Sequence, residues 1–162
     1  MPFITTPAQH HFPWYVRLFF WNQRRKYGAV LEPARLWGRS PRVFLGVATL
    51  YGALDRRASP IEPVLRSLVT VRVSQINWCR FCVDINSALV LKRGGDLERL
   101  AALERFEESA LFSEREKAAL AYAEAVTYSE RQVTPEHLTR LRHHFDDDAI
   151  IFSCGMLEGV DM

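Results

Sequence analysis

The chain has 162 residues, of which 48% are hydrophobic, and a formal net charge of +2. That balance describes a soluble globular protein long enough to bury a sizeable core, and it argues against disorder. Basic residues are interspersed with Asp and Glu apart from the run Arg24-Arg25-Lys26, so no nucleic-acid partner is expected.

The first distinctive segment is Pro13-Trp14-Tyr15-Val16-Arg17-Leu18-Phe19-Phe20-Trp21, followed by Arg24-Arg25-Lys26. Its charge comes within and after the apolar run, whereas a secretory signal carries charge before it, and the run is far too short to span a bilayer. An aromatic and basic helix suits either an anionic membrane surface or a subunit contact. The second is favoured, so residues 1–39 are expected to form an arm that helps build a homo-oligomer, with no membrane role. Residues 40–162 are expected to form one helical domain. Three cysteines are too few for a disulfide-stapled secreted scaffold, which points to a reducing cytoplasm.

Breakers divide the remainder into short helical segments with few strand signals, so the fold is expected to be all-α. Leu65 to Ile76 contains the β-branched run Val69-Thr70-Val71-Arg72-Val73 and reads as a strand on propensity alone. No other segment offers a strand partner, and a buried helix is therefore favoured. Gly94-Gly95-Asp96 ends one helix and caps another, in which Leu97, Leu100, Leu103 and Phe106 recur every three residues. Ser113 and Glu116 have the spacing of a capping box and open a helix through about Thr127. Its small-residue face, Ala118, Ala121, Tyr122, Ala125 and Val126, admits a close neighbour. Thr134-Pro135-Glu136 opens the next helix, with Leu138, Leu141 and Phe145 at helical spacing. Two glycines, Gly155 and Gly159, are expected to weaken any helix in the C-terminal tail.

The chemistry is concentrated in Asn77-Trp78-Cys79-Arg80-Phe81-Cys82-Val83-Asp84-Ile85-Asn86. Thiols at the spacing of Cys79 and Cys82 form a reversible disulfide. A zinc site would need two more ligands from Cys154, His143 and His144, and no second close cysteine pair exists. Adjacent histidines such as His143-His144 and His10-His11 point about 100° apart on a helix and do not readily share an ion. No βαβ pattern flanks the pair, so a thioredoxin-like fold is not expected, although buried inert cysteines are an alternative. If Asn77 caps the helix carrying the pair, Cys79 sits in the first turn, where the helix dipole favours a thiolate. Arg72 and Arg80 would add positive charge if they point toward the sulfurs.

The segment from Leu65 to Ala88, with Phe112 to Thr127, resembles the carboxymuconolactone decarboxylase family, most closely its alkylhydroperoxidase D-like branch, over roughly Ser40 to Ile151. The resemblance implies an orthogonal helical bundle assembling as trimers or hexamers, with dithiol peroxidase or disulfide reductase activity. The family site adds a glutamate about three turns before the first cysteine and a histidine four residues after the second. Those positions are Ser67 and Asn86 here. Losing a general base typically removes about two to four decades of rate. By resemblance Cys82 reacts with peroxide and Cys79 resolves, whereas the dipole favours Cys79 as the more acidic thiol, and both roles stay open. Asp84, Glu62 and Ser74 are local polar residues read as caps or solvated groups, and Cys154 as a packing thiol.

The expected function is that of a weakened thiol-dependent peroxidase or disulfide reductase, using hydroperoxide or a small disulfide and an external dithiol or reductase protein. It would need no metal or organic cofactor. Two alternatives are a non-enzymatic oligomeric scaffold that keeps the family fold and, third, a lactone decarboxylase.

Overall fold

The computed structural model describes Ala8 and residues 11–161, apart from Arg57 and Arg131. His10 lies outside the described residues, and His11 is exposed. Among the described residues there are nine α-helices and no strand, and they fall into two compact units that divide between Ala53 and Leu54.

In the first unit lie α1 (Trp14–Tyr27), α2 (Glu32–Gly38) and most of α3 (Pro41–Leu54). Val16 and Phe20, one turn apart, turn inward with Phe12, Val30, Ala34 and Phe44. The rings pack edge to face, with Phe12 and Phe20 centroids 5.2 Å apart and Phe19 and Phe44 5.0 Å apart, the geometry aromatic quadrupoles prefer. Gly38 is required by close approach, since a Cβ there would lie 2.9 Å from the Phe12 ring. Trp14, Leu18 and Trp21 face outward, and the Arg25 guanidinium stacks over Trp21 at 4.9 Å.

The second unit is organised around α4 (Pro63–Ile76), which packs against α5 (Arg80–Lys92), α7 (Glu114–Thr127) and α9 (Asp147–Asp161). The β-branched run is helical: Leu68, Val69, Val71 and Val73 are all at most 3% exposed. Burying each such side chain contributes roughly 1.5–3 kcal/mol, more than the few tenths by which β-branched residues disfavour a helix. The three-residue leucine repeat spans two kinds of helix, with Leu97 and Leu100 in an α-helix and Leu103 at the start of a 3₁₀ turn. After α6 (Leu97–Ala102) the chain tightens into a 3₁₀ turn at Leu103–Arg105, whose period is three, and buries Leu103 and Phe106 while Leu97 stays exposed. Ser113 and Glu116 form the expected capping box of α7, with the Ser113 N–H donating to Glu116 Oε2 at 2.9 Å. Before α8 (Pro135–Arg142), the Thr134 amide donates to His137 Nδ1 at 3.2 Å.

The tail departs from expectation. The backbone is helical through Asp161 despite Gly155 and Gly159. The Asp146 carboxylate caps the Ala149 N–H at 2.8 Å, and Ala149, Ser153, Met156 and Leu157 are buried, so packing outweighs the cost of a mid-helix glycine, about 1 kcal/mol. No described helix is long and apolar enough to cross a membrane.

Candidate functional site

The cysteine pair sits at the hinge between α4 and α5, and the backbone there is specific. Asn77 does not cap the cysteine helix, so the condition posed for it from the sequence is not met. It ends α4, and Cys79 itself is the N-cap of α5. Trp78 between them has φ 55°, in the left-handed region, and among the described residues it is the single non-glycine residue with positive φ. The Cys79 N–H donates to the Ser74 carbonyl at 3.0 Å and the Trp78 N–H to the Gln75 carbonyl at 3.2 Å. This is the Schellman pattern of helix termination, which normally places glycine where Trp78 stands. Two other helix ends, at Gly28 and Gly94, use glycine with positive φ. A side chain in this conformation costs about 1–2 kcal/mol.

Cys79 and Cys82 are joined as a disulfide with Cα atoms 5.2 Å apart, and both are partly exposed. The Cys82 N–H donates to Cys79 Sγ at 3.3 Å, so the sulfur takes the place usually held by a capping hydroxyl or carboxylate. Negative charge developing on that sulfur would meet an amide already donating to it and the positive end of α5. One turn on, the Asn86 side-chain amide donates to the Cys82 carbonyl at 2.8 Å. Asn86 is thus engaged with backbone, and its amide does not titrate in the accessible range.

Ser67, on α4, is 2% exposed. Its hydroxyl accepts from Arg93 Nη1 at 2.8 Å; the same nitrogen donates to the Pro63 carbonyl at 3.2 Å, and Nη2 pairs with Asp55. The position that carries a carboxylate in the family pattern is therefore held by a cation. Neighbouring Arg66 is also buried, and donates to the backbone carbonyls of Leu54 and Arg56. Burial lowers the Arg66 pKa from its ordinary value, against the favourable charge of Asp55 and with the repulsion of Arg93.

Arg72 does not add free charge to the sulfurs. It forms a buried ion pair with Glu124 of α7, Nε to Oε1 at 2.6 Å, and donates to Gln75 Oε1 at 3.1 Å. Arg80 and Asp84 are exposed. Ser74 donates to the Thr70 carbonyl at 2.7 Å, and Glu62 pairs with Arg115. Burial works against ionisation of Glu62, but the hydrogen bond and charge of Arg115 prevail and hold its carboxyl below the ordinary range. The partly exposed Arg93 and the buried Glu124 escaped sequence reading, and for the buried pair of Arg72 with Glu124 a signal was present. That signal was a charge inside an otherwise apolar helical run, as at Val71-Arg72-Val73 and Ala123-Glu124-Ala125.

Cys154, on α9, lies 3.0 Å from the Tyr122 hydroxyl. Burial and then Cys154 push the Tyr122 hydroxyl above its ordinary pKa. The His143 and His144 rings meet edge to face, and no cluster of three metal-ligating side chains occurs among the described residues.

A model of the carboxymuconolactone decarboxylase family matches residues 41–125. The Escherichia coli (strain K12) protein YnjA, itself uncharacterized, is 43% identical over 144 residues, 89% of this chain and 79% of that one. The alkylhydroperoxidase AhpD core of a peroxidase-related protein from Ralstonia eutropha JMP134 superposes with a TM-score of 0.86 at 19% identity, covering 98% of this chain and 84% of the other. The debrominase Bmp8 superposes with a TM-score of 0.85 at 20% identity, over 99% of this chain and 86% of its own. What these structures share with the chain is the all-α fold.

Proposed function

The chain belongs to the carboxymuconolactone decarboxylase family, and from that premise we propose that it is a thiol–disulfide oxidoreductase whose Cys79 and Cys82 cycle between dithiol and disulfide. The supporting observation is the pair itself, within bonding distance at the N-terminus of α5 with Cys79 as the cap. In the reducing direction an external thiolate attacks one sulfur of the pair. The S–S bond breaks, its electron pair leaves with the other sulfur, and that thiolate takes a proton. The second external thiol then resolves the mixed disulfide, so one dithiol is oxidised as the pair is reduced.

Hydroperoxides are the slower substrates in this reading. A cysteine thiolate attacks the peroxide oxygen, the O–O bond breaks, and the departing alkoxide needs a proton. The sulfenic acid then condenses with the second thiol and releases water. Ser67 and Asn86 are committed to Arg93 and to the Cys82 carbonyl, and neither delivers that proton at neutral pH. A disulfide substrate leaves as a thiolate and depends less on such a group, which favours disulfide exchange.

A reducing cytoplasm, where such a disulfide is transient and catalytic, and a homo-oligomer built partly through the aromatic and basic arm complete the reading. Equilibrating the protein in graded dithiothreitol buffers and trapping thiols with iodoacetamide tests it. Reversible gain and loss of two alkylation sites, at Cys79 and Cys82, is expected. A pair that resists reduction, or never re-forms, would overturn it.

A further inference from the structure

We infer that Trp78, with Phe81, is a docking platform that selects the thiol partner of the disulfide, and that the partner is a polypeptide dithiol with apolar residues beside its cysteines. The inference rests on the redox reading and names the partner class. Trp78 is 91% exposed, the highest value among the exposed large hydrophobic residues, and Phe81, at 43%, lies between the two cysteines in sequence. Trp78 thus directly precedes Cys79 and Phe81 directly precedes Cys82, so an exposed aromatic side chain adjoins each cysteine in sequence.

The backbone adds the second argument. The Schellman link at Trp78 needs a left-handed residue, and glycine meets that need at no steric cost, as Gly28 and Gly94 do elsewhere in this chain. At position 78 a large ring is carried in the same conformation, and folding gains little from it because the ring is exposed. An unfavourable backbone state beside a reactive group points to function.

A small hydrophilic dithiol needs no such surface. Tryptophan, phenylalanine and exposed Arg80 together match the side chains enriched at protein-binding interfaces. A partner chain laid across Trp78 and Phe81 would carry its cysteine to the disulfide. Its first thiolate attacks one sulfur, the other departs and is protonated, and the partner's second thiol closes the partner disulfide while releasing the bound cysteine.

The test compares two synthetic dithiol peptides of equal length, one with leucine and phenylalanine flanking its cysteines and one with serine and glycine. Reduction of the oxidised full-length protein is followed by thiol trapping, with dithiothreitol establishing that the pair is reducible. The wild-type protein is expected to prefer the apolar-flanked peptide by at least about tenfold. Trp78→Gly and Phe81→Ser should each collapse most of that ratio, and Trp78→Gly should melt no lower than wild type because it relieves the left-handed side chain. Absence of a preference in wild type, or its survival in both variants, overturns the inference. A lower melting temperature for Trp78→Gly would make the ring structural and overturn it too. Failure of dithiothreitol to reduce the wild-type pair would instead remove the redox reading itself.

Discussion

The Cys82 backbone N–H donates to the Sγ of Cys79 at the first turn of α5, across 3.3 Å. The amide that a capping side chain ordinarily satisfies is satisfied by sulfur, so opening the disulfide leaves a thiolate facing a donor already in place. The positions of the family's proton-handling groups are engaged elsewhere, Ser67 with Arg93 and Asn86 with the Cys82 carbonyl.

Restoring those groups should raise peroxide turnover. Asn86→His combined with Ser67→Glu is expected to gain at least about a decade in hydroperoxide consumption. Ser67→Glu alone should gain little, because Arg93 would pair with the new carboxylate and hold it ionised. Steady-state rates with a dithiol reductant check both, and no gain in the double variant would mean the pocket no longer admits peroxide chemistry.

The Arg72 to Glu124 pair ties α4 to α7, with both side chains 9% exposed. Glu124→Leu leaves a buried guanidinium without its counter-charge and should destabilise by about 3–5 kcal/mol. Arg72→Met with Glu124→Leu should recover most of that loss, since an apolar pair removes the desolvation penalty as well as the attraction. Urea unfolding midpoints of the three proteins separate these outcomes.

Acid sensitivity should come partly from the α7 cap. Burial opposes ionisation of Glu116, yet the Ser113 backbone, Arg99 and the Ser113 hydroxyl together hold its pKa below the ordinary value. A carboxyl depressed in the folded state contributes stability above its unfolded pKa, about 4.3, and loses it as pH falls through the folded value. Glu62 acts in the same direction, with a contribution reduced by solvent screening. Glu116→Gln should therefore flatten the loss of stability below about pH 4.3. Ser113→Ala should cost about 1 kcal/mol at neutral pH.

The helices were legible in the sequence wherever caps or apolar spacing mark them, as at Ser113, Thr134 and Asp96. The α4 helix was readable only by default. Its β-branched residues favour a strand locally, and the burial that overrides them depends on helices distant in sequence. The condition that Asn77 caps the cysteine helix is not met, because the boundary is a left-handed turn occupied by Trp78, with no glycine to mark it. The tail helix was underestimated because Gly155 was weighed without the buried neighbours Ser153, Met156 and Leu157. Within the site the cysteines were visible, whereas the hold of Arg93 on Ser67 and of Glu124 on Arg72 links residues more than twenty positions apart, beyond any local pattern.

Cys154 should be dispensable for the chemistry. Its sulfur shares a hydrogen bond with the Tyr122 hydroxyl at 3.0 Å on α7, away from the cysteine pair in sequence. Cys154→Ala is expected to keep disulfide exchange within about twofold of wild type, an energy difference well under the 1.4 kcal/mol that a decade represents. A larger loss would make Cys154 a third participant.

The most direct test is turnover itself. Reduction of a small aromatic disulfide, and separately of cumene hydroperoxide, should be followed with excess dithiothreitol for the wild-type protein, Cys79→Ser and Cys82→Ser across a pH series. The expected result is enzyme-dependent disulfide reduction that vanishes in both variants, with slower peroxide consumption showing the same dependence. Activity indifferent to both cysteines, or none above the uncatalysed rate, would contradict the thiol–disulfide mechanism.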